Sequence, residues 1–521
     1  LIYAALSSLI ALFCPACAGW AAHYRTGAAV TGNRIDRLAP PAQLERRLKN
    51  RHIQMIALGG AIGIGFFYGS GEAIAIAGPA VLLSYLIGGA FIYLVMRMLG
   101  EMAAQEPAAG SFSHFAYRYW GEFAGFLAGW NYWFLYILIG IAELTVIGIY
   151  LDHWLIIAHW QTAFAVLAFV TAANLVTVRL FGEFEFWFSC IKVLAVIGMI
   201  IFGAWLIATG AGGSAVANLW AYGGFFPHGA GGMIMALVVV MFSFGGAELV
   251  GVAAAEAEKP EITVPKALKQ FMWRILLFYL ASTAIIMILS PWNSVDSSSG
   301  SPFVTVFTAM GIKSAADMLN LVVIIAAVSV FNSGLYANGR MLFSLAQQHN
   351  APRSLAQLGR RHVPYKAVLF SSICTAFGLG LNYLVPGGAF MRVLAVVTTA
   401  AIVTWGVIVL VHLRFRRAYE QARAAQPLPP RPLLFQSPFY PYSNYLCLVF
   451  LAALFGLMLL SGLTAGGLLS RAFGLAEPLV TLSVPDVSMS ALIVPLWIAL
   501  LYAGFRGKQK RQQKAKMRRR L

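Results

Sequence analysis

Long apolar stretches alternate along this chain with shorter segments rich in Lys, Arg, Pro and Gly. From Ile53 onward twelve such stretches are marked, at 53–76, 79–100, 121–150, 155–178, 184–208, 228–255, 269–290, 315–340, 364–385, 389–412, 440–462 and 488–506. A helix rising 1.5 Å per residue needs about 20 apolar residues to cross the hydrocarbon, and each stretch is close to that length or longer. The pattern predicts an all-α polytopic membrane protein with twelve transmembrane helices.

Two of the stretches are not plain anchors. The first, IQMIALGGAIGIGFFYGSGEAIAIAG from Ile53 to Gly78, holds Gly59, Gly60, Gly63, Gly65, Gly69 and Gly71. Each glycine costs a helix about 1 kcal/mol relative to alanine. Either these glycines let a neighbouring helix approach closely, or the backbone unwinds beside a cavity, as it does in membrane carriers. The second reading places one half-helix over Ile53 to Ile62, an unwound turn at Gly63-Ile64-Gly65, and the other half from Phe66. The sixth stretch contains MFSFGGAELVG, with Gly245 and Gly246 at mid-depth and Glu248 one turn later. Interrupted spans five helices apart point to a binding site where two corresponding halves of the chain meet.

Composition agrees. Apolar residues make up 60% and charged residues 11% of the 521, against roughly 25% charged in an ordinary soluble chain. The net charge of +18 raises the question of nucleic acid, but its distribution answers it. With the N-terminal arm placed in the cytoplasm, all but four of the 37 Lys and Arg fall on that side. The exceptions are Lys313, Arg392 and Arg471 outside, and Lys192 within a span. This asymmetry predicts that both termini are cytoplasmic, and nucleic acid is not an expected partner. The run Lys508 to Arg520 reads as an inside anchor able to touch anionic lipid.

The five cysteines offer no disulfide framework, and Cys14-Pro15-Ala16-Cys17 has redox spacing without a βαβ context. Leu1 to Ala22 is apolar but lacks the basic start and cleavage site of a secretory signal. It reads as an upstream extension, with an extra span or an uncleaved leader as alternatives. No pair of histidines has metal or haem spacing, so no metal and no cofactor is expected. GGAIGIG lacks both the preceding strand and the glycine order of a dinucleotide fingerprint. The spans hold no nucleophile–base set, so an enzyme is not expected.

The segments RHIQMIALGGAIGIGFF, GSFSHFAYRYWGEFAGFLAGWNYW, FGEFEFWFSCIKV, MFSFGGAELVG and YANGRMLFSLAQ together resemble the bacterial amino acid transporter family of the amino acid–polyamine–organocation superfamily. AGPAVLL, NYWFLYILIGIAELT and SVFNSGLYANGRMLF are most similar to its phenylalanine and general aromatic amino acid permeases. The likeness runs from about Leu44 to about Phe505. It implies a 5+5 inverted repeat of the leucine-transporter type with broken helices 1 and 6, in a bacterial inner membrane protein that takes up an amino acid with protons. The implied organisation is an extension and arm at 1–51, a first repeat at 52–208 and a second at 228–415. Two further helices at 440–506 and a basic tail at 507–521 complete it.

The resemblance also implies roles for residues. N–H groups of Gly63, Ile64 and Gly65 would meet the substrate carboxylate, as helix N-termini suit anions. Carbonyls of Ala61, Phe242 and Gly245 would take its ammonium. Phe242 would close over bound substrate as a gate, unless it is only a core aromatic. Family members commonly carry Thr or Ser where Ile64 stands, so one hydrogen bond of about 0.5–1.5 kcal/mol is expected to be missing.

Ionisable groups inside spans are costly and therefore candidates for function. Lys192 is expected to carry the coupled proton, since a buried ammonium gives up its proton more readily than a solvated one; a structural lysine bound to carbonyls is the alternative. Glu248 either anchors its broken span or is protonated during transport. Glu143 is a weaker candidate, placed toward the exterior vestibule. Glu101 and Glu122 are expected at the interface, and His52, His114, His349, His362 and His412 in cytoplasmic solvent. Ala255 to Gln270 reads as a charged cytoplasmic connector. The resulting expectation is a proton-coupled importer of an L-amino acid, with phenylalanine or aromatic amino acids first. A non-transporting amino acid sensor, a permease or exchanger for other neutral amino acids, and sodium coupling stand as alternatives.

Overall fold

Helix follows hydropathy along the chain. The computed structural model describes residues 44–517 apart from 153, 155–157, 211–214, 296–300, 310, 385–388, 426–431, 434 and 466–484. Leu1 to Ala22, the Cys14–Cys17 pair and Arg471 lie outside the described residues. The first apolar stretch forms α1 (Asn50–Ala61), α2 (Ile64–Phe67) and α3 (Gly69–Ala77), and α4 (Val81–Gln105) covers the second. A connecting helix, α5 (Ser111–Tyr119), precedes α6 (Glu122–Leu151), α7 (His159–Val176), α8 (Val178–Thr209) and the single turn α9 (Asn218–Ala221). The sixth stretch is again divided, into α10 (Gly229–Ser243) and α11 (Leu249–Ala253). Then come α12 (Pro260–Leu289), α13 (Pro302–Ala309), α14 (Lys313–Gln347), α15 (Tyr365–Leu384), α16 (Ala389–Ala425), α17 (Tyr442–Ala465) and α18 (Pro485–Met517).

Local chemistry sets several of these limits. The Thr177 side chain accepts from the Leu180 N–H at 3.1 Å and starts α8, which Gly210 ends in the left-handed region. Pro260 at the first position and Glu261 in the first turn start α12, where proline loses no hydrogen bond and a carboxylate meets the positive end of the helix. The stretch expected as a connector, Ala255 to Gln270, is therefore largely helix. Among the described residues the β contact is one isolated parallel bridge, Leu48 to Ala257. Leu48 N–H donates to Glu256 O at 2.9 Å and Glu258 N–H to Leu48 O at 3.1 Å, strapping the arm before α1 to the segment after α11.

Burial runs opposite to that of a water-soluble protein. The most apolar part of α8 has a mean hydropathy of 2.4, yet only 28% of it is buried inside the protein. Trp187, Leu194, Ile201 and Trp205 on its outside are 57–67% exposed. Apolar surface of this kind is stable against lipid and not against water. α6, by contrast, is 83% buried over its apolar window and runs through the centre. Seven of the described helices are long and apolar enough to cross a membrane.

Burial corrects the expectations for three ionisable groups. His412 and Glu101 are fully buried rather than solvated or interfacial. Glu101 pairs with Arg416, lies 3.2 Å from His412 Nε2, and accepts the Ser437 N–H at 2.6 Å. A buried carboxylate needs such pairing, and here it joins α4 to α16 and to the segment before α17. His52 is also buried, beside Glu183, whose carboxylate takes the Arg51 guanidinium at 2.5 Å. His349 and His362 are exposed and His114 is half-buried.

Candidate functional site

At the first break the helical ladder stops one residue earlier than expected. Ile62 (φ −91°, ψ 85°) and Gly63 (φ −127°, ψ −159°) leave the helical region, and the chain re-enters it at Ile64 rather than Phe66. Phe66 and Phe67 N–H both turn back to Gly63 O at 3.1 Å. The first N–H groups of α2 are left without helical acceptors, as at any helix start. The Ile64 N–H is met by the carboxylate of Glu143. Glu143 is thus not in an exterior vestibule. It is buried against the break, and a Cβ on Gly63 would stand 3.1 Å from its Oε1.

At the second break α10 ends at Ser243, and the next residues are held by turns. Gly245 N–H bonds Phe242 O at 3.0 Å, and Leu249 N–H bonds Gly246 O at 3.1 Å. Gly246 has φ +97°, and a Cβ there would collide with the Gly60 carbonyl, so only glycine lets the two broken backbones touch. Gly246 N–H turns to Glu248 Oε1 at 3.3 Å, which also accepts from Tyr136 OH at 3.2 Å. Glu248 therefore ties the break to α6, with the Trp405 indole beside its carboxylate.

The breaks face each other across a cavity of about 30 Å³, room for one or two waters. Ala61, Gly63, Gly65, Phe242, Gly245, Glu143 and Glu248 line it, and Leu135, Ile139, Val330, Val397 and Ala401 form an apolar wall. The Ile64 side chain is fully buried away from the lining. Phe242 is the aromatic at the border; a Cβ on Gly65 would come within 2.9 Å of its ring.

Two residues that sequence reasoning missed clamp the breaks together. Tyr279 of α12 has its hydroxyl 2.7 Å from Ala61 O and 2.6 Å from Ser243 O; its single proton bonds one of them at a time. Ser243 Oγ donates to Gly65 O at 2.6 Å. The Ala61 carbonyl thus has a partner within the protein and one lone pair left over, which narrows its expected part in holding an ammonium. No local signal marks Tyr279, one aromatic in an apolar run.

Lys192 does not line the cavity. It lies behind α1, buried, donating to Gly59 O at 2.5 Å and to Ser329 Oγ of α14 at 2.9 Å. A Cβ on Gly59 would collide with Ser189 and stand 2.8 Å from Glu185 Oε1, so this glycine lets α1 lie against α8.

The profile of the family described as Amino acid permease matches residues 52–516. The chain belongs to that family. Membership makes it a multi-pass membrane carrier with an amino acid as substrate, and not an enzyme. The permease is 47% identical over 471 residues to the aromatic amino acid transport protein AroP of Salmonella typhimurium (strain LT2), covering 90% of this chain and 96% of the relative. It is 46% identical to the AroP of Escherichia coli (strain K12) over the same shares. With the uncharacterized amino acid permease YtnA of Bacillus subtilis (strain 168) it shares 40% identity over 89% of this chain and 95% of that one.

Proposed function

We propose that this permease imports an aromatic L-amino acid across the bacterial inner membrane, coupled to protons, by alternating access. The observation that carries the reading is the meeting of two broken helices, with Gly60 and Gly246 in backbone contact beside a cavity. Peptide groups released from the helical ladder at such a junction suit a zwitterion, which needs both charges answered away from bulk water. The N–H groups of Gly63, Ile64 and Gly65 take the carboxylate once Glu143 gives up the Ile64 N–H, and the carbonyls of Phe242, which already accepts the Gly245 N–H, and of Gly245 face the ammonium. The apolar wall of Leu135, Ile139, Val330, Val397 and Ala401 suits an apolar side chain, and relatives named for aromatic amino acid transport support an aromatic one. A cavity of about 30 Å³ does not hold such a substrate, so the site widens to bind, with Phe242 as the moving gate.

In this reading the chain crosses the membrane twelve times with both termini cytoplasmic. Residues 52–208 and 228–415 are inverted repeats, 440–506 two added helices, and 1–51 and 507–521 the cytoplasmic ends. Lys192 carries the proton, and Glu248 holds the second break and is the second group able to take one.

The test is uptake of labelled phenylalanine into proteoliposomes under an imposed proton gradient, competed by each of the twenty amino acids. Accumulation displaced best by aromatic amino acids is expected. Binding without accumulation would mark a sensor, and accumulation that follows sodium would remove the proton. Lys192→Ala that keeps its full dependence on the proton gradient would refute the coupling role.

A further inference from the structure

Lys192 and Glu185 lie seven residues apart on α8, two turns and about 10 Å along the axis, too far for a direct bond. A third group, from α14, closes the gap. The Lys192 ammonium donates to Ser329 Oγ at 2.9 Å, and Ser329 Oγ donates to Glu185 Oε1 at 2.6 Å. All three side chains are fully buried. The acceptor end is fixed on both oxygens: Ser189 Oγ is 3.4 Å from Oε1, and Asn332 donates to Oε2 at 3.3 Å while its own amide oxygen accepts from Asn174 at 2.9 Å. Glu185 is also nearer than Lys192 to the end of α8 where Arg51 and Glu183 reach solvent. The charges facing Lys192 are Glu185 on its own helix and Glu143 on α6.

We propose that Ser329 and Glu185 form a proton relay that takes the proton from Lys192 and passes it toward the basic, Arg51-bearing side of the permease; this rests on the coupling role of Lys192 proposed above. As one N–H bond of the ammonium breaks, an O–H bond forms on Ser329 Oγ, whose original O–H bond breaks as a new one forms on Glu185 Oε1. A neutral amine, an unchanged hydroxyl and a carboxylic acid result, and no redox partner is required. The ion pair is neutralised without separating charge inside the protein, which is why a hydroxyl bridge serves here better than a direct release of the proton into an apolar interior. Glu185 is fully buried in this structure, so its carboxylic acid returns the proton to water when alternating access opens the basic side.

The test compares two activities of the permease in proteoliposomes. One is net phenylalanine uptake driven by a proton gradient, which requires Lys192 to release its proton in each cycle. The other is exchange of labelled for unlabelled phenylalanine without a gradient, which does not. Ser329→Ala and Glu185→Gln are expected to lower net uptake at least ~10-fold further than exchange, in keeping with the weight of a positioned proton-transfer group. Ser329→Thr, which keeps the hydroxyl, is expected to restore the ratio of the two. An unchanged ratio in both Ser329→Ala and Glu185→Gln overturns the relay, as does a ratio in Ser329→Thr as low as in Ser329→Ala. Because the decision rests on a ratio, a general loss of folded protein does not mimic it. Lys192→Ala separates the two levels: if it loses gradient dependence while the relay variants keep it, the relay alone falls, and if it keeps gradient dependence, the coupling role itself falls.

Discussion

Gly65→Ala tests the junction between the two broken helices. The added Cβ would lie 2.9 Å from Cδ1 and Cε1 of the Phe242 ring and 3.0 Å from Ser243 Cα. Carbon atoms pack best at about 3.5–4.0 Å, so the two breaks must separate by roughly half an ångström or the Phe242 ring must swing away. Overpacking of this size costs about 1–3 kcal/mol, which is about 5- to 150-fold in a binding constant at about 1.4 kcal/mol per decade. The same displacement stretches the 2.6 Å bond from Ser243 Oγ to Gly65 O. The assay is the concentration dependence of labelled phenylalanine uptake, with detergent-solubilised thermal unfolding as a measure of fold. A rise in KM within that range is expected, with partial recovery in Gly65→Ala/Phe242→Leu, because the leucine gives up the ring atoms nearest the new methyl. A KM within twofold of the parent at equal expression would show that the two breaks do not share the substrate, and the site assignment would fall.

Tyr279→Phe leaves the Ala61 and Ser243 carbonyls without their shared donor. A loss of about 1–3 kcal/mol is expected, seen as a lower unfolding temperature together with slower uptake; unchanged values for both would remove Tyr279 from the junction. Arg416→Met strands the Glu101 carboxylate in a fully buried site and is expected to cost about 3–5 kcal/mol, whereas Glu101→Gln/Arg416→Met recovers part of it. A double variant no more stable than Arg416→Met would argue against the pairing. Ile64→Thr is expected to cost about 1–3 kcal/mol by placing a hydroxyl in an apolar site. It should leave KM within about twofold, since the side chain does not border the cavity; a markedly lower KM would show that the hydroxyl reaches the substrate after all.

Much of this architecture is legible in the chain because lipid demands it. An apolar run of span length has few ways to satisfy its backbone other than helix, and each marked stretch is helical in at least part of its length. The paired glycines mark both breaks closely, since Gly63 follows the end of α1 at Ala61 by two residues and Gly245 follows the end of α10 at Ser243 by two. What connects the breaks was not legible. Tyr279 reaches Ala61 across 218 residues, and Arg416 reaches Glu101 across 315, distances at which periodicity carries no information. The surroundings of Glu143, and Glu185 altogether, were hidden for a related reason: a carboxylate in an apolar run reads the same whether it faces a vestibule, a peptide N–H or a serine. His52 and His412 sit near span ends by sequence, yet neighbouring segments fold over them.

The strap at Leu48 bears on how the carrier can rock. Two peptide hydrogen bonds clip the segment entering the first broken span to the segment leaving the second, so these two ends behave as one handle. A swing that opens the basic face either carries both half-helices along as a single lever or releases the clip, at about 0.5–1.5 kcal/mol for each bond.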